Sequence, residues 1–336
     1  MRARKNMAKH ALAAEQLRVV DEVLGFALEV RSAFHQNLAA HKLMAIGMVV
    51  QETAEANAEA AKALLEAGNI PQVDYEMERA FLEESRLTLA LSQRAELEAR
   101  EHLHRLFGVW GPYTRWRVVA DFPELPAQEP SDAEIERIAI ERSLTLEQKR
   151  EQIEAKAAQV GLARIEGIVP DLSAGVDLDF EEGFRRVGPI VSAQLPLFDQ
   201  GQAEVMRAMA ELDRMRAIYV ATSIDVRSQA RRARNALTIA RQVVLQYRDA
   251  IIPLRQRVSD EQLKQYNAMN AGIFEVLATK RQELDATQGY IRALRDYWVA
   301  RAELAQIQAG GGLERQANQG DDGAESPAGE RSQRGH

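Results

Sequence analysis

Helical periods dominate the chain, and one short stretch departs from them. From 171 to 180, Leu172, Ala174, Val176, Leu178 and Phe180 alternate with Ser173, Gly175, Asp177 and Asp179. Period-two alternation predicts a β-strand with one apolar and one polar side. Glu181, Glu182 and Gly183 then break the pattern as turn residues do. A second run sets Val191, Ala193, Leu195 and Leu197 against Ile190, Ser192 and Gln194, before Pro196 and Gly201 mark the return to helix. Two readings of this hairpin, within about 170–198, stay open. It lies on a helical domain with its apolar side inward, or it belongs to a membrane β-barrel. In the second case Ser173, Asp177, Asp179, Ser192 and Gln194 face a wet lumen.

Residues 1 to about 67 form one proline-free helical pattern rich in Ala, Leu, Val and Glu. A helix of about 60 residues runs roughly 90 Å, a length that coiled coils and repeats need and a globular core does not. Gly68-Asn69-Ile70-Pro71 stops it and starts a second helix to about Phe107. The stretch from Gly108 to Pro130 is a Gly- and Pro-rich linker carrying Trp110 and Trp116. Ser131 and Glu134 match a capping box, which predicts one helix from there to about Glu166. After the strands, helix resumes from Gln202 to about Ile252, and Pro253 should kink it without ending it. Asn270-Ala271-Gly272 turns into a last helix reaching about Ala309. There Leu277, Leu284, Ile291, Trp298 and Ala305 recur every seven residues and predict a coiled-coil seam. The tail, 310–336, has little apolar content and should be disordered.

The two halves repeat. Shifted by 201 residues, the segment Ala67–Gly108 lies over Ala268–Ala309 without a gap, so that Asn69 meets Asn270 and Asp74 meets Glu275. Upstream, Glu29-Val30-Arg31-Ser32 resembles Asp225-Val226-Arg227-Ser228 at a shift of 196, so the second arm is about five residues longer. The predicted fold is mainly α: long antiparallel coiled-coil helical hairpins in two repeats, with one β-hairpin. Residues 1–130 hold the first repeat and linker, 131–309 the second repeat with the β-hairpin, and 310–336 the tail. Such hairpins have no globular core of their own and bury their seams against neighbours.

Composition narrows the function. The 336 residues are 46% hydrophobic but only 6% aromatic, so alanine and leucine carry the burial. The net charge of −7 is mild and dispersed, which argues against nucleic acid as a partner. Without cysteine there is no thiol catalysis, no disulfide and no cysteine-ligated zinc. No apolar run is long enough for a transmembrane helix, and the N-terminus has no apolar core of the kind a secretory signal carries.

No catalytic constellation emerges, and no cofactor or metal site is expected. His35 and His41 are six apart, and His102 and His104 fall on different helix faces. His41, Met44 and Met48 share a face and make a soft-donor set of the kind Cu(I) takes, but methionine at helical spacing is more often core filler. Trp110 and Trp116 either anchor a membrane interface or pack the linker onto the helices. The run Arg227, Arg231, Arg232 and Arg234 reads as a solvated helix face.

Several motifs, in order, resemble the TolC-like outer-membrane efflux proteins, over about 1–309. Tyr266 to Leu277, with Gly272 and Glu275-Val276-Leu277, is similar to the family's second hairpin tip, and Glu66 to Asp74 to its first. Gly188-Pro189 through Gly201 resembles the family's second strand and its return to helix. Asp296-Tyr297-Trp298 followed by Ala300 to Leu304 resembles its terminal helix. Met269 stands where the family usually has glycine. The family has two strand pairs per protomer and this sequence has one, so the chain reads as an N-terminally truncated member without the signal segment.

The resemblance implies a passive duct and not an enzyme. Its setting would be a homotrimer in outer membrane lipid and the periplasm of a Gram-negative bacterium, working with a periplasmic adaptor protein and an inner-membrane pump. The linker would lie in the periplasmic equatorial region. Gly68, Asn69, Ile70, Asn270, Ala271 and Gly272 would form the adaptor-docking tips. Two alternatives stand beside this reading. A structural coiled-coil protein without transport leaves the strands and the repeat unexplained, and a periplasmic adaptor should carry larger β-rich domains.

Overall fold

A computed structural model describes residues 2–116, 121–129, 134–168, 172–181, 184–193 and 201–313. Helix α1 (Arg2–Glu66) turns into α2 (Gln72–Phe107), and a short 3-10 turn (Gly111–Thr114) opens the linker. Helices α3 (Ile135–Arg142) and α4 (Leu144–Ile168) precede strands β1 (Leu172–Glu181) and β2 (Phe184–Ala193). Helix α5 (Gln202–Gln246) passes through a π-helical turn (Tyr247–Ile251) into α6 (Ile252–Asn267), and α7 (Ile273–Gln308) returns. Among the described residues no helix is long and apolar enough to cross a membrane.

Helix α1 runs 65 residues, about 97 Å at 1.5 Å per residue. It packs on α2, α4 and α7, while α5 packs on α4 and α7, and α6 on α7. The repeat is visible in the backbone. Both bounds of α7 lie 201 residues beyond those of α2, 72 to 273 and 107 to 308. The longer second arm is the one with the π turn. Five extra residues would rotate a helix face by about 140°. One residue absorbed in a π turn leaves four, which restores the face to within about 40°. Pro253 lies two residues past the end of that turn, in the first turn of α6 where a missing N–H is tolerated, and helix continues beyond it as expected.

Two predicted helical features are corrected. The single helix expected from Ser131 to about Glu166 is two helices broken at Ser143, which has ψ 111°. The Ser143 hydroxyl accepts from the Leu146 backbone N–H at 3.2 Å and so caps α4. Ser131 itself lies outside the described residues, and Glu134 sits at the N-cap of α3. On α7 the seven-residue period is right and its phase is not. Leu277, Leu284, Ile291, Trp298 and Ala305 are half-buried, whereas Ala286, Ala293, Ala300 and Ile307 are buried, two positions on. Two residues turn a helix by about 200°, so the buried row faces the other way. Alanine fills most of that row and lets the backbones approach, with Tyr297 and Leu304 beside it on the same face.

The main core lies where α3 and the linker cover α5 and α7. It holds Ile135, Ala139, Ala230, Ala233, Leu237, Val244, Ala293, Leu294, Tyr297, Ala300, Leu304 and Ile307. Strands β1 and β2 pair antiparallel, with Leu172 opposite Ala193, Ala174 opposite Val191 and Leu178 opposite Val187. Apolar positions therefore pair with apolar ones along most of the ladder, as alternation requires, while Phe180 pairs with Arg185. Gly310 to Leu313, assigned by composition to the tail, are bonded into the bundle. The Leu144 N–H donates to the Gly310 carbonyl at 2.9 Å, and the Gly312 N–H to Asp21 Oδ1 at 3.0 Å. Residues 314–336 lie outside the described residues.

Candidate functional site

The two hairpin tips are built alike, residue for residue at a shift of 201. At the first, Gly68 has φ +71°, its N–H donates to the Leu65 carbonyl at 2.9 Å, and the Asn69 N–H donates to Leu64 at 2.8 Å. At the second, Met269 has φ +61°, its N–H donates to Tyr266 at 2.9 Å, and the Asn270 N–H donates to Gln265 at 2.9 Å. Both are helix stops in which a left-handed residue satisfies the last carbonyls. Pro71 and Gly272 then take matching extended positions, with ψ 158° and 157°, at the start of α2 and α7. The Asp74 N–H donates to the Pro71 carbonyl, and the Glu275 N–H to that of Gly272.

The structure thus assigns the left-handed position of the second tip to Met269. Gly272 has φ −79°, which any residue adopts. Gly68, Asn69, Asn270 and Gly272 are exposed, and Ile70 and Ala271 are half-buried. Close to the tips the two hairpins are joined by Arg281 on α7. Its guanidinium pairs with the buried Glu78 carboxylate of α2 and lies 3.6 Å from the centroid of the Phe81 ring. The strand positions Ser173, Asp177, Asp179 and Ser192 fall within β1 and β2, where Ser173 stands opposite Ser192 and Asp179 opposite Arg186. Gln194 lies outside the described residues.

A second cluster holds the linker to the bundle, and no short-range pattern announces it. Glu129 accepts from the Tyr297 hydroxyl and, at 2.9 Å, from Arg241 Nη1, with Arg301 3.8 Å away. Arg241 also donates to the Pro126 and Ala127 carbonyls. Burial, and next the bond to Glu129, push the Tyr297 hydroxyl up to about 12. Further along, Asp121 pairs with Lys42. The half-buried His35 ring stacks between Phe122 and Trp298, at 6.2 and 5.6 Å, and desolvation lowers its pKa.

The other singled-out residues separate. His104 is buried against Trp116 and bonded to Glu101, while His102 lies 3.7 Å from Glu29 of α1. Trp116 also packs on Phe107, so the linker-packing reading holds for it, whereas Trp110 is 74% exposed. His41 and Met48 are exposed and Met44 is half-buried. Among the described residues no group of three His, Asp or Glu side chains is placed to hold a metal ion. Arg231 pairs with Glu136 at 3.0 Å.

No family model matches the chain. Its sequence is similar to the cobalt-zinc-cadmium resistance protein CzcC of Cupriavidus metallidurans, at 24% identity over 283 residues. That match covers 83% of this chain and 66% of that protein, so the chain spans just under two thirds of that relative's length. Its structure is similar to the CmeC outer membrane channel of Campylobacter jejuni, with a TM-score of 0.75 and 16% identity over 92% of this chain and 68% of that one. It is also similar to the outer membrane protein VceC of Vibrio cholerae, with a TM-score of 0.72 and 18% identity over 92% and 76%. Repeated helical hairpins joined to a strand pair define the class: the chain has the TolC-like fold of outer-membrane efflux channels.

Proposed function

We propose that this chain is the outer-membrane channel component of a tripartite efflux or export system. It is a passive duct for small molecules or metal ions, and the likeness to a cobalt-zinc-cadmium resistance protein favours divalent cations. It works as a homotrimer across the outer membrane and periplasm, with a periplasmic adaptor docked at its tips and an inner-membrane pump beyond. The observation that carries this reading is the pair of matched tips. They end two repeated hairpins, and α5, the π turn and α6 run unbroken from Gln202 to the second tip. One end therefore suits a membrane barrel and the other a partner.

The test uses Asn69→Arg and Gly272→Arg. Gly272 has no atom within 4 Å of a would-be Cβ and no positive φ, so the substitution adds bulk and charge without backbone strain. Efflux-dependent resistance should fall while trimer formation and membrane insertion persist. Unchanged resistance in both single variants and in the double variant removes docking from the tips.

A further inference from the structure

Helix α7 has 36 residues and α4 has 25, so neither reaches the 65 of α1. Laid end to end they match it to within about one turn. The order of contacts along α1 shows that arrangement. His10 Nδ1 lies 2.7 Å from Glu151 of α4, and Asp21 bonds Thr145 at 3.3 Å. The buried Gln306 of α7, with its amide oriented to suit both neighbours, then donates to the Leu24 carbonyl at 2.8 Å and accepts from the Gly25 N–H at 3.2 Å. Last comes His35 against Trp298. Where the two helices meet, each finishes the other. The Leu144 N–H of α4 donates to the Gly310 carbonyl at 2.9 Å, and Arg142 Nη1 donates to the Gln308 carbonyl at 3.0 Å. The Gly310 and Gly311 N–H groups fold back onto Ile307 and Gln306, each at 3.0 Å. The negative end of one helix dipole thus abuts the positive end of the other.

Three consecutive glycines make the junction, and two of them leave no room for a side chain. Gly310 has φ +97°, and a Cβ there would stand 2.2 Å from the Arg142 carbonyl oxygen. At Gly311 a Cβ would stand 2.1 Å from the end of the Gln306 side chain, and at Gly312 3.2 Å from Thr145 Oγ1. The Gly312 N–H donates to Asp21 Oδ1 at 3.0 Å, and the Leu313 N–H to Gln229 Oε1 of α5 at 3.4 Å. The Leu313 side chain packs on the main core. We propose that Gly310–Leu313 is a clip that splices α7 to α4, pins the splice to α1 and α5, and sets the stiffness of the joined column. In the duct reading, on which the current measurement below rests, that column is one stave of the wall from the second tip to Ile168, and the splice is where it would buckle.

The experiment follows hydrogen exchange over residues 144–147 in the membrane-extracted, full-length assembly, and then bilayer current. G310A and D21A should raise exchange there by at least about tenfold, the scale for losing a buried hydrogen bond. D21N keeps an oxygen for the Gly312 N–H and should stay within about threefold of the parent. G161A, also on α4 but with open space where its Cβ would stand, should exchange as the parent does. Unchanged exchange over 144–147 in both G310A and D21A overturns the clip. Equal acceleration in every helix of both variants also overturns it, because the segment would then support the whole fold and not a joint. Current through G310A and D21A should flicker among sublevels where the parent holds one level. A steady single level in variants whose exchange has risen overturns the claim about stiffness. An electrically silent parent removes the duct reading, while the exchange result still decides the clip.

Discussion

His35 shows how one residue can carry a pH dependence. Its ring fills a slot between Phe122 of the linker and Trp298 of α7, and its Nδ1 is buried without a hydrogen-bond partner. Protonation there strands a charge in an apolar slot, so the folded chain holds the proton less well than the unfolded chain. The unfolded state then binds more protons below the ordinary histidine value of about 6.5, and stability rises with pH in that range. Stability from His35 is complete above that value and is lost as pH falls through the lowered folded value. Melting temperature should drop between pH 7.5 and pH 5, and His35→Leu should flatten the part of that drop due to this residue. An equal slope in parent and variant would remove His35 as its source. Tyr297 makes the companion test. Its hydroxyl is buried in the main core and donates to the half-buried Glu129. Tyr297→Phe leaves the half-buried Glu129 carboxylate with Arg241 but short of one donor, and should cost about 1 kcal/mol, measured by denaturant melts.

At the scale of elements, what was legible in the sequence follows from the range of the cause. The helices, the tips, the 201-residue shift and the pairing of the two strands come from local period and turn chemistry, which neighbouring residues carry. The phase of the α7 seam was not legible, because hydropathy weights Leu277 and Trp298 above Ala286 and Ala293, while close helix packing selects the alanines. The break at Ser143 was missed because a single capping hydroxyl competes weakly with a continuous helical pattern. The Glu129 cluster joins residues more than 110 positions apart, and no motif spans that distance. Gly289 belongs with these. A Cβ there would stand 2.6 Å from the Tyr247 hydroxyl, at the start of the π turn. Gly289→Ala should therefore push Tyr247 off α7 and destabilise the chain by about 1–3 kcal/mol, the cost of overpacking. A variant as stable as the parent would mean that the π turn yields freely.

For the whole molecule, apolar side chains remain exposed along several helices. Leu12, Val19, Val23 and Phe26 leave α1 between 49% and 62% exposed, at spacings of seven, four and three. Leu87 and Leu91 do the same on α2, and Val220 and Ile224 on α5. Rows of this kind bury themselves against further helices, and the proposed trimer supplies them. Native mass spectrometry of the membrane-extracted protein should give three copies, and Val19→Glu with Phe26→Glu should shift it toward the monomer. The central claim is that the assembled helices and strands enclose a passive duct, and ionic current through the reconstituted protein tests it most directly. In a planar lipid bilayer the account predicts discrete conductance steps that grow in proportion to salt concentration and need no energy source. An assembly verified as inserted, yet electrically silent across that range of salt, would contradict it.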